Sequence, residues 1–459
     1  MAYRRITPVR RIRGYAACAS LLLLPAVLAP SEASAAWHVR TLDGGRRAAL
    51  GGLASLPGGH TAVLFDSQRG GRHRLALQRP DEPALTLMTG THTFGTSLGT
   101  DAKGHVAVAW TTIPPGGRFR RAYLWTGGRV RALTDGTRHA EAALAVSPSG
   151  DLAVAVTDGT TSRAQGATWV QRGSFRDGLS SRRQDLGGLQ TVYPGALRFS
   201  PANGLAAGGF AIRPDGPNAL AGTAVVVSPG PKTGFGAAAF LPPPPTPAGQ
   251  QSLPDGPAVG FGPRGEVVAA TSTLRCTIGT GDLGGECGKL ISSTVRVWRW
   301  PVAGPGPGAP TAPGTATFAQ MPAIVTSGSA TWLTWLEGAT YRPTLLAAVR
   351  IGTSRLGAVR HLRLTPEEQQ VTVLPVAVAP AANGALRFYL PAPGRPTSAL
   401  DTVRMSRDGR FGSRATVVRG SRYAGANTVA LPVLATGAVR DLVGWTTWEN
   451  GPFARMATP

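Results

Sequence analysis

The stretch RALTDGTRHAEAALAVSPSGDLAVAV, residues 131–156, decides the fold. It opens on a polar corner, Leu133-Thr134-Asp135-Gly136. An apolar run follows at 142–146, then Ser147-Pro148-Ser149-Gly150, then a second apolar run at 152–156. Ser-Pro-x-Gly is turn chemistry, because Pro fixes φ at the second position and Gly accepts φ > 0. The stretch therefore reads as a strand end, a corner, a strand, a tight turn and a strand.

The same order recurs outward in both directions. Turn glycines stand at Gly58, Gly104, Gly150, Gly204, Gly265, Gly328, Gly384 and Gly437. Their spacing of roughly 45–63 residues is the range in which repeated β units form propeller blades. The corner recurs as Leu87-Met88-Thr89 and as Leu364-Thr365-Pro366. After each turn the strand is apolar on both parities, as in residues 106–110, 152–156 and 267–270. A strand covered on one face alternates. These strands are expected to be covered on both faces by neighbouring sheets, as the inner strands of blades are. A β-sandwich satisfies the pattern less well, because its strands alternate more cleanly.

The fold expected is all-β, a single β-propeller of eight blades, with seven as the alternative because the first and last units match least well. The last unit has three strands. Residues 37–42 form a strand with no unit of its own, expected to close the ring as the missing outer strand and remove an open edge. Two Pro-rich stretches, 241–249 and 301–313, interrupt the units without ending the repeat. They read as outer-edge excursions of one domain.

Residues 131–159 resemble the blade repeat of TolB-type, WD-repeat-like bacterial propellers. Those blades end in Leu-Thr-Asp/Pro and open the next unit with Ser-Pro-Asp-Gly before an apolar strand. Ser149 stands where that family usually has Asp, and Arg407-Asp408-Gly409 keeps a fragment of the motif. The match is good over the third unit, fair over the second and seventh, and poor over the fifth and eighth. The resemblance implies the fold and a tendency toward extracytoplasmic binding roles. It implies no catalytic residues.

The N-terminus reads as an export signal. Arg4, Arg5, Arg10, Arg11 and Arg13 precede an apolar run at 16–28 and a small-x-small site, Ala33-Ser34-Ala35. The expected organisation is a signal peptide at 1–35 and a propeller at 36–459, secreted or held outside the cytoplasm. Arg4-Arg5 leaves both general and twin-arginine export open. No later stretch is long and apolar enough for a membrane helix. Cys276 and Cys287 remain after cleavage. In an oxidising compartment they are expected to pair, a free pair or a two-ligand metal site being the alternatives.

The formal charge is +23, and loss of the five Arg and one Glu of the signal leaves +19. Such a charge attracts anionic polymers such as teichoic acid or acidic polysaccharide. Composition explains it equally well: Lys103, Lys232 and Lys289 are the only lysines, and Arg, Ala, Gly and Pro dominate as in a GC-rich genome. No dense basic run with interleaved aromatics follows the signal, so no specific nucleic-acid partner is expected.

Catalytic motifs are weak. Gly95-Thr96-Ser97-Leu98-Gly99 matches a nucleophile elbow, but the chemistry needs a strand-to-helix turn and here another strand follows. Gly279-Thr280-Gly281-Asp282-Leu283-Gly284 matches a dinucleotide fingerprint without a βαβ unit around it. The seven histidines show no zinc spacing. Thr365-Pro366-Glu367-Glu368 reads as a capped helical turn. No cofactor, metal or catalytic residue is expected.

The loops joining second to third strands lie opposite the tight turns. They carry Asp66, Asp158, Asp215, Asp282, Glu286, Glu337 and Glu449, with Tyr341 and Trp448 beside them. Acids gathered on one face of a basic protein are the candidate ligand site, for a sugar, a cation or a basic peptide. The plainer explanation is that loops are polar and Asp favours turns. The expected function is non-catalytic: a monomer binding a protein or cell-envelope polysaccharide at the loop face. The alternative is a carbohydrate-active hydrolase or lyase whose acids converge at the funnel.

Overall fold

A computed structural model describes residues 38–41, 48–69, 72–90, 93–159, 166–186, 188–212, 221–254, 256–278, 287–304, 306–314, 318–339, 342–370, 376–392, 398–421, 429–435, 438–448 and 452–458. The expected signal segment, the 279–284 motif and the turn glycine Gly437 lie outside them.

The described residues form eight antiparallel sheets, and in all but the fifth and the eighth the strands pair in chain order, as the repeat predicts. The first sheet is Ala48–Ser55, Thr61–Arg69, Arg72–Gln78 and Leu85–Gly90. The second runs from Thr93–Thr100 through Val106–Thr112 and Arg121–Thr126 to Arg129–Ala132. The opening stretch supplies the third, with His139–Val146 and Asp151–Gly159 followed by Gly166–Ser174 and Gly178–Leu179. Leu189–Phe199, Leu205–Ile212 and Ala221–Ser228 lead the fourth.

The fifth sheet departs from the pattern. Its first strand is split into Gln250–Pro254 and Ala258–Phe261, both paired with the long second strand Val267–Ile278. The third strand, Cys287–Trp300, pairs only with the second, apart from single bridges of Val297 with Thr311 and Ser293 with Phe318. The sixth sheet holds Ala319–Ser327, Ala330–Ala339, Arg342–Ile351 and Arg360–Arg363. The seventh holds Ala377–Pro380, Leu386–Ala392, Ser398–Met405 and Phe411–Ser421. In the eighth, Val429–Ala435, Ala438–Trp448 and Pro452–Thr458 are joined by His38–Thr41, antiparallel, with His38 opposite Thr458 and Thr41 opposite Arg455.

The turn in the opening stretch forms as its residues dictate. Gly150 N–H donates to Ser147 O at 3.0 Å, with Gly150 at φ +94°. Both Ser147 and Ser149 hydroxyls donate to the Asp151 carboxylate, at 3.0 and 2.7 Å. The corner is wedged in place too: Leu133 is buried and Thr134 Oγ1 accepts from the buried Ala122 N–H at 3.1 Å.

The second strands are the core. All of Val106–Thr112 is buried, as is Leu152 to Thr157. Both of these strands pack against a sheet on either side, which is why their apolar residues do not alternate. Small residues let the sheets approach. A Cβ at Gly99 would stand 2.5 Å from Val146 of the next sheet. Polar seams tie consecutive sheets: Thr100 Oγ1 donates to Ser55 O at 2.9 Å, Thr331 Oγ1 to Phe261 O at 3.0 Å, and Ser327 Oγ to Ala381 O at 2.8 Å. The architecture is consistent with a β-propeller. No described helix is long and apolar enough to cross a membrane.

Candidate functional site

Asp66, Asp158 and Glu337 stand near the ends of the second strands of the first, third and sixth sheets. All three therefore fall on the side expected for the loops. They are held by different neighbours. Asp66 is largely buried, 3.2 Å from His73 Nδ1, and takes the Thr93 N–H at 3.4 Å as well as its hydroxyl. Thr93 opens the next sheet, so Asp66 serves as a latch between sheets. Asp158 has a buried Oδ1 with no hydrogen-bond partner among the described residues. Burial pushes its carboxyl pKa up, against the pull of Arg138 and Arg183. Trp448 ends a strand of the eighth sheet. Asp215, Asp282, Glu286, Tyr341 and Glu449 lie outside the described residues.

Glu337 lines a cleft. The cleft holds about 180 Å³ between the fifth and sixth sheets. Glu337 is 6% exposed; Trp335 Nε1 donates to its Oε1 at 2.7 Å, and His361 Nε2 lies 3.1 Å from its Oε2. Strand alternation puts Trp335 and Glu337 on one face. Across the cleft stand Thr273, Arg275, Ser292, Thr294 and Arg296. In the hairpin register Thr273 opposes Thr294, Arg275 opposes Ser292, and Thr271 opposes Arg296. Residues opposite one another share a face, so these five polar side chains form one patch. Thr273 is 1% exposed, and among the described residues neither its Oγ1 nor the buried Nε of Arg275 has a hydrogen-bond partner.

Both Pro-rich excursions reach this cleft, through Pro244 on one side and Pro313 with Gly314 on the other. A Cβ at Gly314 would come within 3.2 Å of Glu337 Oε1, so the close approach favours glycine. Ser293 Oγ donates to Ala319 O at 2.6 Å and joins the two sheets there. Beside Arg275, Cys276 is disulfide-bonded to Cys287 with Cα atoms 5.6 Å apart, as the sequence leads one to expect. The bridge ties the hairpin that carries the patch.

The charge of the cleft differs from the acidic rim expected. Two guanidinium groups face one carboxylate, so the cleft is net positive. Arg275 and Arg296 stand in paired strands and not in the loops that carry the acids. The available signal was the polar alternation Ser292-x-Thr294-x-Arg296 along one strand.

A second concavity of about 380 Å³ is formed by the first strands of the fourth, fifth and sixth sheets. These strands are bulged there, with register shifts between Val192 and Leu197 and between Gln320 and Ala323, and Met321 at φ +56°. Arg198 lines it and donates to Leu197 O at 3.2 Å. Lost hydration among the surrounding protein pulls its guanidinium pKa down. The Gly95-Thr96-Ser97 segment is a similar bulge, where Thr96 Oγ1 donates to Gly51 O at 2.8 Å and no helix follows. No cluster of three metal-binding side chains occurs among the described residues.

No family model and no curated protein matches the chain. Solved structures similar to it include a protein described as TolB from Agrobacterium tumefaciens, 14% identical, covering 72% of this chain and 94% of that one, TM-score 0.32. Another is the polysaccharide lyase Uly1, 13% identical, covering 79% and 88%, TM-score 0.47. A third is an α-L-arabinofuranosidase from Fusarium graminearum, 12% identical, covering 83% and 94%, TM-score 0.36. The set mixes a TolB protein with carbohydrate-cleaving enzymes and so does not separate binding from catalysis.

Proposed function

We propose that residues 36–459 form one eight-bladed β-propeller closed by the 38–41 strand, exported behind the 1–35 signal, that binds a cell-envelope glycan or protein on its loop face without cleaving it. The Glu337 cleft carries this reading. It is concave, polar, built from two sheets and bordered by both Pro-rich excursions. The disulfide beside it fits an oxidising compartment. Both oxygens of Glu337 are engaged by Trp335 and His361. A carboxylate so held orients a ligand hydroxyl more readily than it exchanges a proton with one.

The test is a panel of neutral and acidic envelope oligosaccharides, with teichoic acid included, presented to the purified mature protein. Binding and release of reducing ends are measured together. Retention without cleavage is expected. Cleavage of a retained glycan would favour the hydrolase or lyase alternative, and retention of none would remove the glycan arm of the reading.

A further inference from the structure

We infer that the cleft between the fifth and sixth sheets binds the carboxylate of an acidic saccharide, a uronate, through Arg275 and Arg296, with Glu337 taking a sugar hydroxyl. This deepens the loop-face reading and rests on it. Three observations carry the inference.

The first is charge. Arg275 and Arg296 both line the cleft, and among the described residues neither is in an ion pair. Glu337 supplies the single described negative charge there. A net charge of one positive unit is balanced by one carboxylate. A cation or a basic peptide, which an acidic rim would attract, meets two guanidinium groups instead.

The second is unmet hydrogen bonding. Among the described residues Arg275 Nε and Thr273 Oγ1 are buried without a partner, on the patch that lines the cleft. A buried polar group without a partner costs free energy comparable to a lost hydrogen bond, and more when it is charged. Guanidinium donors match a carboxylate in geometry and charge.

The third is the mixture of surfaces. Thr273, Ser292 and Thr294 offer hydroxyls, while Pro244 and Pro313 offer apolar edges. A pyranose presents hydroxyls around its rim and C–H groups on its faces, so it meets both. An acidic peptide needs carboxylate contacts but has little use for a row of hydroxyls. The cleft's volume of about 180 Å³ suits a single ring rather than a stretch of chain.

The experiment is calorimetric titration of the mature protein with galacturonate and glucuronate, their neutral counterparts galactose and glucose, inorganic sulfate, and a poly-glutamate peptide. Uronates are expected to bind and neutral sugars to bind at least tenfold more weakly. Arg275→Gln and Arg296→Gln are each expected to weaken uronate binding about ten- to a hundredfold, the range for losing a hydrogen bond to a charged group. Arg296→Lys should recover part of the loss, which a merely misfolded variant would not. Thermal unfolding of each variant checks that the fold is kept.

Equal affinity for neutral sugars, or unchanged uronate affinity in both Gln variants, overturns the inference. So does preference for poly-glutamate, binding of sulfate as tight as uronate, or no binding of any probe. Neutral-sugar binding lost in Glu337→Gln but kept in both Arg variants would overturn the uronate assignment while leaving the loop-face reading in place.

Discussion

Arg414 grips Glu368 as a fork: Nε donates to Oε1 and Nη2 to Oε2, both at 3.0 Å. Glu368 sits in the corner between the sixth and seventh sheets, and Arg414 belongs to the outermost strand of the seventh. The same carboxylate accepts the Thr365 N–H at 2.7 Å, while Thr365 Oγ1 accepts the Glu368 N–H at 3.3 Å. That reciprocal pair is a capping box. One buried side chain therefore caps a turn and fastens two sheets.

Glu368→Ala is expected to destabilise the protein by about 3 kcal/mol, the lower end of the range for breaking a buried pair from one side. Arg414→Ala should cost less, because the arginine is partly exposed. Combining them should fall well short of the sum, since each removes the same interaction. Denaturant unfolding of the four species measures this, and strict additivity would contradict the latch.

Asp158 makes stability pH-dependent with a definite sign. Its carboxyl pKa is raised by burial. An acid raised on folding favours the folded state while protonated, and that contribution fades as pH climbs from its unfolded pKa through its folded one. Asp158→Asn is therefore expected to melt higher than wild type near neutral pH and to converge with it in acid. Thermal melts across that range check this; a variant less stable at neutral pH would mean that Asp158 has a stabilising partner when charged.

Deleting residues 37–42 from the mature chain is expected to lower the melting temperature sharply and promote aggregation. The Pro452–Thr458 strand would lose its outer partner, His38–Thr41, and expose an edge. Thermal unfolding with light scattering measures both effects. An unchanged melt would contradict ring closure by the N-terminal strand.

The turns and second strands were legible because local chemistry fixes them. Gly104, Gly150 and Gly265 all have positive φ at the turns read from sequence. The apolar runs read at 106–110 and 152–156 fall within the strands Val106–Thr112 and Asp151–Gly159. The capping role of Thr365 was legible for the same reason: its partner is three residues away. The cleft was not, because it joins Thr273 to Glu337 across two sheets and two Pro-rich excursions. Its arginines lie on strands, and only the pairing register brings them to one patch. Asp66 shows the converse: the acid is plain in the sequence, but its tie to Thr93 of the next sheet is not. The bulges at Gly95 and Met321 follow no pattern visible in one sequence, because adjacent sheets set them.

Peptide-resolved hydrogen exchange of the mature protein, with and without oligogalacturonate, tests the central claim of loop-face binding most directly. Protection is predicted in the Cys287–Trp300 and Ala330–Ala339 strands, which carry the cleft. Protection confined to the tight-turn side, at residues 101–106 and 147–151, or no protection under conditions of saturating oligosaccharide, would contradict the account.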